Sequence, residues 1–350
     1  MTVPPTVKAA VRCSCYKHAM PSLRQFAFVL AACALSAAAG AADIAAARRE
    51  GELNLYTSMN ANLVPQVKAD FEKRYGVKVN VWRASSENVV QRVTSEARAG
   101  RFEADVVETN GPEMESVQRE GLLRRIDSPL FAHLLPQAIF PHHEWVATRL
   151  IVFVQCYNTR EVKRAQVPRS FDDLLDPRWK GRLAMEADDA DWFQTVVTDM
   201  GEEKGLAYFR KLVATNGVSV RKGHAVLGEL VNSGEIPFAL DCYSYKAWGD
   251  RKKGAPVDWT SFGPLLARPN GGGVTRKAPH PNAALLFYEY LISDAQPLLA
   301  KLDLEPVDTR VKTELQGREV QFIDPRKVLQ ESAKWQKLYD EIIVKGARPR

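Results

Sequence analysis

Two α/β units of similar build are predicted for this chain, on three observations. Strand-like apolar runs alternate with amphipathic helical stretches. The alternation pauses and then begins again, and 350 residues suffice for about two domains that each bury a core. With 45% hydrophobic, 26% charged and 9% aromatic side chains, the composition is that of an ordinary globular protein. Collagen, coiled coil and wholesale disorder are excluded on that ground. No period of 20–50 residues recurs, so a solenoid is not supported.

Leu53–Tyr56 reads as the first strand. It leads through Thr57-Ser58-Met59-Asn60 into a helix with Leu63, Val67, Phe71 and Tyr75 on one face, ended by Gly76. Pro65 falls in the first turn, where a missing N–H costs little. Val77–Trp82 is the next strand. Ser85 or Ser86 caps a helix whose face is Val89, Val90, Val93 and Ala97, closed by Gly100. Ala104–Glu108 is the third strand, and Pro112 opens a helix that stops at Gly121. Three strand–helix units in a row predict an open parallel sheet with helices on both faces.

A longer apolar run, Val146–Val154, leads into Tyr157-Asn158-Thr159. The second series follows: strand Leu183–Glu186, helices Trp192–Met200 and Leu206–Ala214, strand Val218–Val220, helix Val226–Val231 and strand Ile236–Leu240. Val257–Phe262 leads into Gly271-Gly272-Gly273, read as a turn or hinge because the lysine and spacing of a phosphate-binding loop are missing. Pro281–Ile292 is a strongly amphipathic helix whose aromatic face is expected in the core with one tyrosine exposed. The Pro/Gly-rich stretch 263–281 is the candidate second crossing between the units.

The N-terminus reads as an address. From Met20, Arg24 provides a basic start, no charge follows until Asp43, and Ala39-Gly40-Ala41 supplies the small residues of a signal-peptidase site. Residues 1–41 are therefore expected to be an export signal, with Met20 as an alternative start. Leu30-Ala31-Ala32-Cys33 would allow lipidation at Cys33 instead of cleavage near Ala41. The net charge of +6 owes four basic residues and no acid to this segment, so the body is close to neutral and nucleic acid is not an expected partner. Export leaves Cys156 and Cys242 in an oxidising compartment. Each ends an apolar strand-like run, and they are expected as two buried thiols unless those strands are neighbours.

Six motifs in order resemble one family. They are Leu55-Tyr56-Thr57-Ser58, Ala104-Asp105-Val106-Val107, Tyr157-Asn158-Thr159 and Asp173-Leu174-Leu175-Asp176-Pro177-Arg178-Trp179-Lys180-Gly181, then Lys253-Gly254-Ala255-Pro256-Val257-Asp258-Trp259 and Ala278-Pro279-His280-Pro281-Asn282-Ala283-Ala284. Over nearly the whole mature chain the sequence resembles the exported solute-binding proteins of ABC importers, in the ferric-iron-binding branch. The resemblance implies a type 2 periplasmic-binding-protein fold with one ligand held between two lobes. It further implies a discontinuous first lobe, 42–151 plus 264–350, a second lobe, 152–263, and two crossing strands. The implied partners are a membrane permease and its ATPase, the location is the periplasm, and the form is a monomer.

In such a fold the strand ends and helix starts converge on the cleft. The first-lobe candidates are then Thr57, Ser58 and Asn60, Ser85 and Ser86, and Glu108, Thr109 and Asn110. The second lobe offers Glu186, Asp188, Asp189, Gly223, His224, Tyr243 and Tyr245. For the serines, and for Asp188, Asp189 and Asp191, helix capping is the simpler reading. Two phenols suit Fe³⁺, a hard ion that favours anionic oxygen. The resemblance implies two adjacent tyrosines as ligands, helped by a histidine after the first strand. Here Ser244 separates Tyr243 from Tyr245, and Asn60 stands where the histidine is expected. The expected solute is thus ferric iron or its chelate, with Tyr243 and Tyr245 as the metal's ligands. The alternative is a small organic anion or zwitterion, such as a phosphonate or sugar phosphate, held by hydroxyls, helix starts and Arg149. GxSxG and HExxH are missing, and neither body cysteine sits in a nucleophile motif, so catalysis is not expected. Presentation of the solute to a sensor kinase is the remaining alternative role.

Overall fold

The computed structural model describes Thr2 and residues 42–346 apart from 314 and 316. The export signal expected over 1–41, with its Met20 and Cys33 alternatives, lies outside the described residues save for Thr2. Helix α1 (Ile44–Glu50) precedes β1 (Glu52–Thr57), α2 (Val64–Tyr75), β2 (Lys78–Arg83), α3 (Ser86–Arg98), β3 (Val106–Asn110) and α4 (Gly111–Arg119). The 13-residue β4 (Val146–Asn158) leads to β5 (Leu183–Glu186), α5 (Ala190–Asp199) and α6 (Glu202–Asn216). Then come β6 (Ser219–Arg221), α7 (His224–Ser233), β7 (Phe238–Tyr243), α8 (Ser244–Lys252), β8 (Val257–Thr260) and β9 (Leu265–Val274). The chain ends with α9 (Pro281–Leu291), α10 (Gln296–Lys301), β10 (Glu305–Pro306), β11 (Val320–Phe322) and α11 (Pro325–Tyr339), extended by a π-helical turn, Asp340–Val344.

Two α/β lobes follow, linked through the centre of one sheet in the order β2-β1-β3-β9-β4-β7-β5-β6. Pairing is parallel within each half, β1 with β2 and β3, and β5 with β6 and β7. It is antiparallel where β3 meets β9, β9 meets β4 and β4 meets β7. The separate sheets expected from the strand–helix alternation are therefore continuous, because β4 and β9 pair with each other and with both halves.

Gly271-Gly272-Gly273 is not a turn but the interior of β9. A Cβ on Gly271 would lie 2.2 Å from the Trp145 ring, and one on Gly273 would lie 2.9 Å from the Glu144 carbonyl. Glycine is needed there for close approach, not for bending. In α9 all three aromatic residues, Phe287, Tyr288 and Tyr290, are buried, so the expected exposed tyrosine is absent. The helix is covered on its other side by α1, whose Glu50 carboxylate also accepts from the Asn282 and Ala283 N–H groups at the start of α9. The sequence reading stopped before α11. This helix carries Trp335 and Tyr339 into the aromatic core of α5 and α6, against Phe193.

Cys156 and Cys242 form a disulfide, correcting the expectation of two thiols. They lie on β4 and β7, which are antiparallel neighbours, and their Cα atoms are 5.9 Å apart, within the span a disulfide bridges. The bond closes a loop across 86 positions of sequence. Cys156→Ser with Cys242→Ser is expected to lower unfolding stability by about 2–5 kcal/mol. Urea unfolding of oxidised protein and of the double variant checks this, and equal midpoints would contradict it.

Candidate functional site

At the carboxyl ends of β5, β6 and β7 a buried polar cluster forms around Glu186. Its carboxylate accepts the Gly223 N–H at 2.6 Å and the Asp188 N–H, tying together the loops after β5 and β6. Gly223 sits at φ +96°, so the turn before α7 requires glycine. The Glu186 N–H in turn donates to Asp241 on β7, and Tyr339 donates its hydroxyl to the Glu186 carbonyl. Burial, with Asp189 close by, raises the pKa of Glu186; burial likewise raises that of Asp241, with Asp189 and Glu186 adding.

His224 opens α7 with Nε2 3.1 Å from Asp189. Its ring stacks on Tyr243, the centroids 3.4 Å apart. From β9 comes Arg268, which the sequence reading missed. Its guanidinium donates to the Tyr243 hydroxyl, lies 3.2 Å from Asp191 and 3.8 Å from Asp189, and covers the Phe153 ring at 5.2 Å. Only its place inside a crossing strand, surrounded by apolar residues and glycines, marked it. Asp189, at the N-cap of α5, makes no capping bond, whereas Asp191 accepts the Trp192 N–H at 2.8 Å in the first turn as expected, and both carboxylates also face this cation. Glu186, Asp189 and His224 bring one donor atom each within 4.8 Å of one another, a set that could hold a metal ion.

Tyr245 stands in the first turn of α8 with its ring 5.7 Å from that of Tyr243. Asn60, from the loop after β1, lies close enough to its hydroxyl to oppose the rise in pKa that burial imposes. Burial pushes both phenol pKa values up.

The first-lobe candidates form a second group. Thr57 and Arg149 both donate to the Glu108 carboxylate, and the Ser58 and Thr109 hydroxyls lie 2.9 Å apart. Glu108 is thus occupied by a buried ion pair. Ser85 takes the N-cap position of α3 without a capping bond, and Ser86 is buried in the first turn.

Between the lobes lies a cleft of about 470 Å³. Its walls come from the starts of α3, α4 and α5, from Arg268, and from Val328, Leu329 and Ser332 on α11. Of the expected residues, Asp188 and Asn110 line it. Glu186, His224 and Tyr243 stand behind the Arg268 and Asp191 wall. The Glu113 carboxyl is raised to about 7, chiefly by burial, with Glu87 and Asp191 adding and Arg268 opposing.

Residues 56–296 match the family model described as bacterial extracellular solute-binding protein. The Fe(3+)-binding periplasmic protein of Serratia marcescens is 28% identical over 260 residues, 70% of this chain and 75% of that protein. Iron-bound HitA from Pseudomonas aeruginosa superposes with a TM-score of 0.72 at 20% identity, covering 83% of this chain and 99% of that one. AfuA from Actinobacillus pleuropneumoniae, with exogenous fructose-6-phosphate bound, superposes with a TM-score of 0.71 at 19% identity, covering 84% and 99%. At these identities the structural likeness concerns the fold.

Arg268→Met leaves Asp189 and Asp191 facing each other without their cation and is expected to cost about 3–5 kcal/mol of stability, read from urea unfolding. Glu113 binds a proton in the folded protein between its usual 4.5 and about 7, where the unfolded chain has released it. Its contribution to stability therefore falls as pH rises through that window, and Glu113→Gln is expected to flatten the slope of the thermal midpoint over the same range.

Proposed function

The chain belongs to the bacterial extracellular solute-binding proteins, and we propose that it captures ferric iron, or a chelate of it, between its lobes for an ABC importer. Tyr243 and Tyr245 carry this reading. They are two half-buried phenols with ring centroids 5.7 Å apart, set beside His224 and the Glu186 and Asp189 carboxylates. Anionic oxygen and imidazole suit a hard, highly charged ion, and its binding would displace the protons that burial holds on the phenols. The iron-binding name of the Serratia relative supports it. Asn60, Ser58, Thr57, Ser85, Ser86 and Glu108 belong to the first lobe's side of the proposed site, and Asp188 to the second's.

The proposed division places 42–151 with 264 onward against 152–263. It has one refinement: α11 shares its core with α5 and α6 of the second lobe while also packing on α4 of the first, so it bridges the two. Hinge closure on the solute would give the permease a shape to recognise, while a separate ATPase supplies the energy. The protein performs no catalysis in this reading. It works as a periplasmic monomer delivered by the segment over 1–41.

A small organic anion, such as a phosphonate or sugar phosphate, has one observation in its favour: the Nε of Arg268 is buried without an acceptor. The Glu87, Glu113, Asp188 and Asp191 carboxylates along the cleft weigh against it.

Thermal unfolding of metal-stripped protein separates the two. Ferric citrate at 100 times its Kd should add about 2.7 kcal/mol, citrate alone nothing. The ferric complex should also show a visible phenolate-to-iron absorption that Tyr243→Phe and Tyr245→Phe each weaken. Stabilisation by fructose 6-phosphate without iron, and none by ferric citrate, would transfer the assignment to the anion.

A further inference from the structure

The interlobe cleft is much larger than a bare metal ion, and its volume of about 470 Å³ falls in the range that encloses a small organic solute. Four carboxylates line it, Glu87, Glu113, Asp188 and Asp191, against one cationic side chain, Arg268. That cation is already engaged by Asp191, Asp189 and Tyr243. Lys222 approaches Asp188 at 3.5 Å but is 83% exposed, outside the lining. Two buried acceptors of the lining lack a donor. One is Gln194 Oε1, on a side chain 2% exposed whose amide N–H donates to Glu331 at 3.2 Å, and the other is Glu113 Oε2. Among the described lining residues, Arg268 Nε is the buried donor left without an acceptor.

A buried acceptor left unpaired is costly, and a carboxylate-rich wall attracts positive charge. A ligand that satisfies this wall donates hydrogen bonds and is cationic. We propose that the cleft is a binding site for an organic ammonium group, which donates to Glu113 and Gln194 and lies against the Asp191 and Asp188 carboxylates. The inference rests on the reading that this cleft captures the solute. It names the solute's chemistry there: an aliphatic amine in its own right, or the ammonium arm of an iron chelator whose metal end faces the tyrosines. Glu113 faces Arg268, Glu87 and Asp191 and is half-protonated near neutrality, so ammonium binding should expel its proton.

Calorimetric titration of the purified, metal-stripped protein tests this. Three kinds of probe are used: free amines (1,4-diaminobutane, spermidine and agmatine), ferric lysine hydroxamate with its free ammonium, and ferric acetohydroxamate without one. The expected result is binding of a free amine, or binding of ferric lysine hydroxamate at least tenfold tighter than ferric acetohydroxamate. The first outcome assigns the ammonium to the solute itself, the second to a chelator. In either case Glu113→Gln and Gln194→Leu, each checked for an intact thermal transition, should weaken binding about tenfold or more. In the wild type the heat should also differ between buffers of unequal ionisation enthalpy, reporting the released proton. Equal binding of the two ferric complexes with no response to any amine overturns the ammonium site and leaves iron capture standing. Silence towards every probe overturns both.

Discussion

The antiparallel ladder between β4 and β9 is the constraint on which the rest of this molecule depends. It runs from Val146 opposite Gly272 to Phe153 opposite Leu266, and each partner also pairs outward, β9 with β3 and β4 with β7. Two parallel half-sheets with their own helices thereby become one ladder. Close packing along the ladder excludes side chains where Trp145 and the Glu144 carbonyl press on β9, and Gly271 and Gly273 stand at those points. The disulfide between Cys156 and Cys242 fastens β4 to β7 on the second-lobe side.

The same two strands carry the buried cations. Arg149 lies on β4 and is neutralised by Glu108, a first-lobe residue, whereas Arg268 lies on β9 and is neutralised by Asp189 and Asp191 of the second lobe. A guanidinium within an apolar strand loses its hydration and persists only with such partners. Each lobe thus anchors one crossing strand electrostatically, and one of the acidic residues recruited for that purpose, Asp191, also lines the interlobe cleft beside Glu87, Glu113 and Asp188. Glu186 does similar work at the level of loops. It spends its oxygens on the Gly223 and Asp188 N–H groups, fixing the loops that lead to His224 and Asp189, which pair with each other.

Much of this was legible in the residues. The order of strands and helices, Pro65 at a helix start and Gly76 at a helix end all follow from local periodicity and backbone preference, which need no distant partner. The candidates Thr57, Glu108, Glu186, His224, Tyr243 and Tyr245 were readable as strand-end residues, given two open sheets facing each other. Arg268 and Glu113 were not. An arginine inside an apolar strand is marked by its surroundings alone and a glutamate in a helix's first turn by nothing local, and what each does depends on which carboxylates the fold brings beside it.

The triple glycine shows where that boundary lies. Sequence alone allows a turn, and only the Trp145 ring against Gly271 shows an extended strand whose side chains had to be removed. The cysteine pair is similar, since the residues determined two buried sulfurs and the antiparallel pairing of β4 with β7 decided that they bond. By itself, then, the sequence determined the α/β class, the repeated unit and the residue types available at strand ends, because these depend on spacing along the chain. Tertiary structure decided register, burial and charge pairing, and with them the acidic lining of the cleft. Those quantities depend on atoms close in space whose separation along the chain runs, for Arg268 and Asp191, to 77 positions.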